Sequence, residues 1–197
     1  MGSFMKKRIK VNGFLIFAAV MLVIIFPRVF LREYCVVLAE KLTRIFGVFL
    51  VLSGQLLRVS ARGYKAENSG SGSQLIQYGP YSLSRNPMYL GILLIGLGLG
   101  LALFKYWVIL VFLVIFFARY ALLAFAEEKK LLGVFGNTYA DYCRRVPRFF
   151  PRMKLLFEKD IRVVLPLKQP WLYKEIGAIV ATLLAAAFFI LWEGMRR

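Results

Sequence analysis

The chain has 197 residues, 60% of them hydrophobic, and a mean hydropathy of +0.67. Several apolar runs approach the ~20 residues that cross a bilayer as a helix, so the composition excludes an ordinary soluble domain. The 27 basic and 10 acidic residues give a net charge of +17, but the basic residues cluster beside apolar runs. That is the pattern of positive-inside anchoring and of contact with anionic lipid head groups, and it argues against nucleic-acid binding. The two cysteines, Cys35 and Cys143, form no CxxC, so neither a disulfide framework nor a zinc site is implied. There is no histidine, which removes the commonest metal ligand and the commonest general base; no metal cofactor is expected.

The length fits a single integral-membrane domain over residues 1–197. The opening "MGSF" before "MKKRIK" reads as a tag remnant, with Met5 the natural start, and is set aside. The first expected span covers residues 11–26 and is ended by Pro27. It follows Lys6, Lys7, Arg8 and Lys10 with no small-residue cleavage site behind it, which favours an anchor helix over a signal peptide. Residues 28–44 mix charge with apolar side chains, and the apolar run at 45–57 is short for a span. Two readings stay open: a helix beginning near Tyr34 carries charge into the bilayer, or residues 28–44 lie along the interface. Glu40 and Arg44 are four apart, share a helix face and are expected to pair. Residues 58–78 include "ENSGSGSQ", a flexible polar loop.

The third span is expected over residues 88–104 and the fourth over 106–126, joined by a tight turn at Lys105 into an antiparallel hairpin. Residues 127–170 are basic and carry four prolines; the fifth span is expected over residues 171–192. The predicted fold is all-α: a polytopic transmembrane helical bundle of about five spans, with a helical and loop cap after span four. Five crossings put the N-terminus, the 58–87 loop and the 127–170 segment on one side, which the positive-inside rule makes cytoplasmic.

That topology brings two polar clusters to one mouth of the bundle. "GPYSLSRNPMYLG" precedes span three, and "AEEKKLLGVFGNTYADYCRRVPRFFP" follows span four. Arg85, Asn86 and Tyr89 should therefore face Glu127 and Glu128, and ionisable groups at a membrane bundle's edge point to a functional site. Gly91, Gly96, Gly98 and Gly100 strip side chains from span three, and Gly96 with Gly100 makes a GxxxG spacing. Either another helix packs closely there, or a cofactor lies against the bare backbone. "GLGLG" is not a dinucleotide fingerprint, since no strand precedes it.

On these two motifs, over residues 75–151, the chain resembles the integral-membrane methyltransferases of the isoprenylcysteine carboxyl methyltransferase and phospholipid methyltransferase type. The turn "SRNPMYLG", the pair Glu127–Glu128, Phe135–Gly136, Tyr139, Tyr142, Arg145 and Pro147 fall in the family's order. Residues 152–197, with the extra span, form a C-terminal extension outside the likeness. The resemblance implies S-adenosylmethionine as methyl donor, S-adenosylhomocysteine as product, and a site at the cytoplasmic mouth. It implies that Asn86, Pro87, Tyr89, the four glycines, Glu127, Glu128 and Tyr139 hold the cofactor. Arg85, Arg145 and Glu128 become candidate catalytic residues, and Arg85, Tyr142 and Arg145 candidate contacts to the acceptor. Asn86 stands where many members have histidine; an amide cannot take a proton at neutral pH, so a histidine base is not available.

The expected function is methyl transfer to a membrane lipid or lipidated acceptor, with O-methylation of an isoprenylcysteine-type carboxylate favoured and N-methylation of a phospholipid next. Arg85 as a fixed cation suits an acidic or phosphate-bearing head group. The rival expectation is a non-catalytic membrane subunit that uses its glycine-rich helix for assembly and its basic loops to grip anionic lipid. A reductase using a nicotinamide cofactor ranks last, because the sequence offers no phosphate-cradling loop.

Overall fold

A computed structural model describes residues 21–32, 38–70, 73–158 and 160–195. The greater part of the first expected span, and Glu33, Tyr34 and Cys35, lie outside these residues. Residues 21–25 are helical, and the short helix α1 follows at Pro27–Phe30. The remaining helices are α2 (Leu38–Asn68), α3 (Pro87–Leu103), α4 (Tyr106–Arg145), α5 (Lys154–Glu158), α6 (Ile161–Val164) and α7 (Gln169–Met195). No β-strand occurs among the described residues; an isolated antiparallel bridge joins Leu31 to Phe104.

Two of these helices, α2 and α4, are long and apolar enough to cross a bilayer. Helix α3 has 17 residues; at about 1.5 Å per residue it is roughly 26 Å long, close to the hydrocarbon thickness. The expected hairpin is present. Phe104 and Lys105 are extended, α4 starts at Tyr106, and the turn is tied to α1 by bonds from Lys105 N to the Phe30 carbonyl (3.0 Å) and from Arg32 N to the Leu103 carbonyl (3.0 Å).

Two boundaries differ from the sequence expectation. Helix α2 runs to Asn68, so residues 58–68 are helix and not loop. The polar residues 62–67 carry the helix past the apolar run because its buried face continues through Val59, Ser60, Ala61 and Gly63. Helix α4 likewise does not stop at residue 126. It continues through Glu127 and Glu128, and its course breaks at Gly136, whose φ of +50° and ψ of −126° disfavour a residue with a side chain.

Glycines determine how closely the helices approach. A Cβ on Gly47 would lie 2.7 Å from the Gly98 carbonyl, and one on Gly54 2.6 Å from the Gly91 carbonyl. These pairs are seven residues apart on both helices and run in opposite order, so α2 and α3 pack antiparallel with backbones in contact. Gly96 and Gly100 face the other way, against Phe112 and Ile109 of α4. Helix α7 lies antiparallel to α2 on a further side. Gln55 donates to Thr182 (2.9 Å), Trp171 donates to Glu67 (2.7 Å) over the bare face of Gly63, and the buried Glu175 pairs with Arg58 (3.4 Å) and Arg62. The end of α2, the start of α3, the middle of α4 and the start of α7 therefore gather at one end of the bundle.

Candidate active site

The site begins with a chain reversal. Residues Gly79–Ser82 form one 3-10 turn, with Gly79 at φ +61° and Pro80 fully buried. Pro87 then opens α3, where a missing N–H costs nothing. Between the two prolines, the backbone is stitched to the strand of chain that follows α4. Arg85 N donates to the Pro147 carbonyl (2.9 Å), Arg152 N to the Leu83 carbonyl (3.0 Å), and Ser84 Oγ to the Arg148 carbonyl (3.0 Å). The Asn86 amide reaches that same carbonyl at 3.4 Å. The two sequence-distant motifs are thus one local structure.

Glu128 sits at the centre of it. Arg148 grips its carboxylate with two bonds, Nε to Oε1 at 2.9 Å and NH2 to Oε2 at 2.7 Å, and Arg85 NH1 approaches Oε1 at 3.2 Å. The glutamate is 12% exposed and Arg85 15%, so this charged triad is screened from water on most sides. The bidentate carboxylate raises the Arg148 guanidinium above its ordinary range, and Arg148 also stacks over Phe125 at 4.3 Å. Arg85 NH1 donates to Cys143 Sγ as well (3.2 Å), while its Nε is buried with no protein partner.

Glu127 is held more loosely. Lys65 Nζ lies 3.3 Å from one oxygen and the Tyr89 hydroxyl 3.4 Å from the other. Tyr81 stands nearby; burial pushes its phenol up, and the Glu127 charge adds to the shift. Beyond Gly136 the last turns of α4 fold back over the site. Tyr139 and Tyr142 are buried there with Val146, and the Tyr142 hydroxyl donates to the Tyr81 carbonyl (2.8 Å).

A cleft of about 760 Å³ opens among these groups, within the size range of small-molecule sites. Arg85, Asn86, Glu127, Glu128, Tyr139 and Tyr142 all line it. Pro87 and Tyr89 border an adjoining recess of about 160 Å³. The other expected site residues lie elsewhere. Arg145 points away; it bonds Gln77 (2.9 Å) and the Asp141 carbonyl (3.3 Å) and borders a separate hollow. None of Gly91, Gly96, Gly98 and Gly100 lines the cleft, because neighbouring helices fill the space their missing side chains leave.

Sequence reasoning missed Arg148, Tyr81 and Lys65. "RRVPRFF" presents three arginines within five residues, and charge alone does not separate them. The separating signal is Pro147: it ends the helix and reverses the chain, so Arg148 returns to Glu128 while Arg144 and Arg145 stay on the outer helical turn. Lys65 was hidden by the loop reading of residues 58–68.

The sequence pattern described as phospholipid methyltransferase matches residues 42–138. That stretch, just under half of the chain, is similar to the phospholipid methyltransferase family. The match and the two long apolar helices point to a membrane protein, all-helical among the described residues. A curated relative, the cobalt-zinc-cadmium resistance protein CzcN of Cupriavidus metallidurans, is 36% identical over 112 residues. The aligned part covers 55% of this chain and 48% of that protein, so the chain spans about half the length of the relative. No solved structure matches the chain.

Proposed function

We propose that this protein transfers a methyl group from S-adenosylmethionine to a lipid-like acceptor reached from the bilayer. The observation that carries the reading is the meeting of Arg85–Asn86 with Glu127–Glu128 around a cleft of about 760 Å³, on the segment that matches the family. The cleft's donor set fits a nucleoside sulfonium. It offers carboxylates for a cation, the Asn86 amide for hydrogen bonding, and a buried Arg85 Nε that no protein group satisfies. Asn86, Glu127 and Glu128 would hold the cofactor, with Tyr139 and Tyr142 closing over it. When bound, S-adenosylmethionine supplies a methyl group already activated for displacement.

The protein's task is then alignment and exclusion of water, which in well-oriented systems lowers a barrier by about 7–11 kcal/mol. Arg148 and Arg85 hold the Glu128 carboxylate from two sides, which fixes its orientation in the cleft wall. Leu131, Phe135 and the tyrosines supply apolar walls. A carboxylate acceptor needs no base, and Arg85 is placed to attract it. An amine or thiol acceptor would have to lose a proton, and the loosely held Glu127 is the group in reach. The carboxylate remains the favoured acceptor and a phospholipid amine the next. The reading keeps five crossings with the cleft at the cytoplasmic end, supported by the basic residues that surround it.

The assembly-subunit alternative loses its main feature. The glycines it relies on are covered by α2 and α4 of the same chain. Calorimetric titration of the purified protein in detergent with S-adenosylhomocysteine tests the proposal, followed by labelled S-adenosylmethionine with a total membrane extract. Saturable binding and a labelled extractable lipid are expected; no binding heat and no transferred label would refute it.

A further inference from the structure

The segment between α4 and α7, residues 146–168, has two apolar faces. The inner one is satisfied: Leu155 and Val164 are buried together with Leu83, beside the turn that carries Arg85. The outer one is not covered by any described residue. Phe157 is 85% exposed and Phe150 83%, the most exposed large apolar side chains among the described residues, and Met153, Ile161 and Val163 lie open with them. Arg152, Lys154, Arg162 and Lys168 are exposed among these residues, against the exposed acids Glu158 and Asp160. A cap facing water would carry polar residues where these aromatics stand, since soluble surfaces rarely leave such apolar patches uncovered.

The position of the segment decides what covers it. It links the end of α4 to the start of α7, and both helices show outward apolar residues, such as Val114 and Leu122 on one and Ile176 and Leu184 on the other. A connection between two lipid-facing helices runs at the bilayer surface. Its first residues also lie along α4's outer side: Arg148 covers Phe125, and Phe149 meets Phe117 edge-on at 6.4 Å. The apolar patch is therefore continuous with a lipid-facing surface, and the basic residues that border it complement lipid phosphates.

We propose that residues 146–168 form an interfacial foot that sits in an anionic leaflet. Phe150 and Phe157 insert among the upper acyl chains, and Arg152, Lys154 and Arg162 contact lipid phosphates around them. A second copy of the chain would leave those cations facing like charge, and a soluble partner would have to share the patch with the adjoining lipid.

The test places a reporter in the foot. Phe157→Trp and Phe150→Trp keep an aromatic ring at exposed positions, and the parent signal from Trp107, Trp171 and Trp192 is subtracted. Each variant is reconstituted in nanodiscs of phosphatidylglycerol and phosphatidylcholine, with and without phosphatidylcholine brominated near the carbonyl end of its chains. The new tryptophans are expected to lose at least half their emission to the brominated lipid and to resist aqueous iodide. Quenching by iodide alone would overturn the proposal by placing the face in water. Protection from both quenchers would overturn it too, by placing protein on the face. In nanodiscs of phosphatidylcholine alone, iodide quenching should rise; an unchanged value would overturn the claim that the foot reads anionic charge.

Discussion

Replacing Glu128 by glutamine tests the centre of the site with almost no change of shape. The native carboxylate accepts bonds of 2.9 and 2.7 Å from Arg148 and a contact of 3.2 Å from Arg85. Hydrogen bonds to charged groups contribute about 1.5–3 kcal/mol each, against about 0.5–1.5 for neutral ones. Glutamine keeps one acceptor oxygen and turns an NH2 toward guanidinium donors. Arg148 is 33% exposed and recovers some hydration, whereas Arg85 does not. The net loss should be about 2–3 kcal/mol, below the roughly 3–5 kcal/mol for breaking a fully buried pair. For a chain of this size that lowers Tm by about 5–10 °C. Glu127→Gln is the control: that side chain is 40% exposed, its contacts are 3.3 and 3.4 Å long, and the expected loss is about 0.2–1 kcal/mol. Thermal unfolding in detergent measures both variants, and transfer of label from S-adenosylmethionine measures the chemistry. If about 2 kcal/mol of alignment is lost at the reacting centre, turnover of Glu128→Gln falls about 30-fold. Equal Tm values for the two variants, or full turnover in Glu128→Gln, would refute the reasoning.

Arg148→Ala should reproduce the loss seen in Glu128→Gln, and the double variant should lose little more, a coupling of about 2–3 kcal/mol in a double-mutant cycle. Arg145→Ala, on the outer helical turn, should stay within about 0.5 kcal/mol of the parent by thermal unfolding and retain turnover. Gly54→Ala would drive a methyl group to 2.6 Å from the Gly91 carbonyl and should destabilise by about 1–3 kcal/mol. Gly133→Ala meets nothing within 4 Å in a helical stretch, and the same unfolding assay should show a gain of about 0.4–1 kcal/mol.

Much of the site was legible because its residues announce themselves against an apolar background. Arg85, Asn86, Glu127 and Glu128 are conspicuous in a chain that is 60% hydrophobic, and a short hairpin can only return the chain to the side it left. The two flanking clusters had to meet. The glycines illustrate the opposite case. Their spacing permits close packing but does not say on which side, and Gly91 and Gly98 turned to α2 while Gly96 and Gly100 turned to α4. Arg145 and Arg148 are alike in type and three residues apart, yet one is solvated and the other grips Glu128.

The sequence by itself determined that the chain is helical, membrane-bound and hinged at Lys105, because hydrophobic run length and proline placement are local properties. It also determined that polar groups gather at one end. Only the tertiary structure decided which arginine pairs with Glu128, that residues 58–68 extend α2, and where the cleft lies. Those outcomes depend on the angle at which the chain leaves Pro147 and Gly136, and on which helix faces touch. Both are set by contacts between residues far apart in the chain, which no local pattern records.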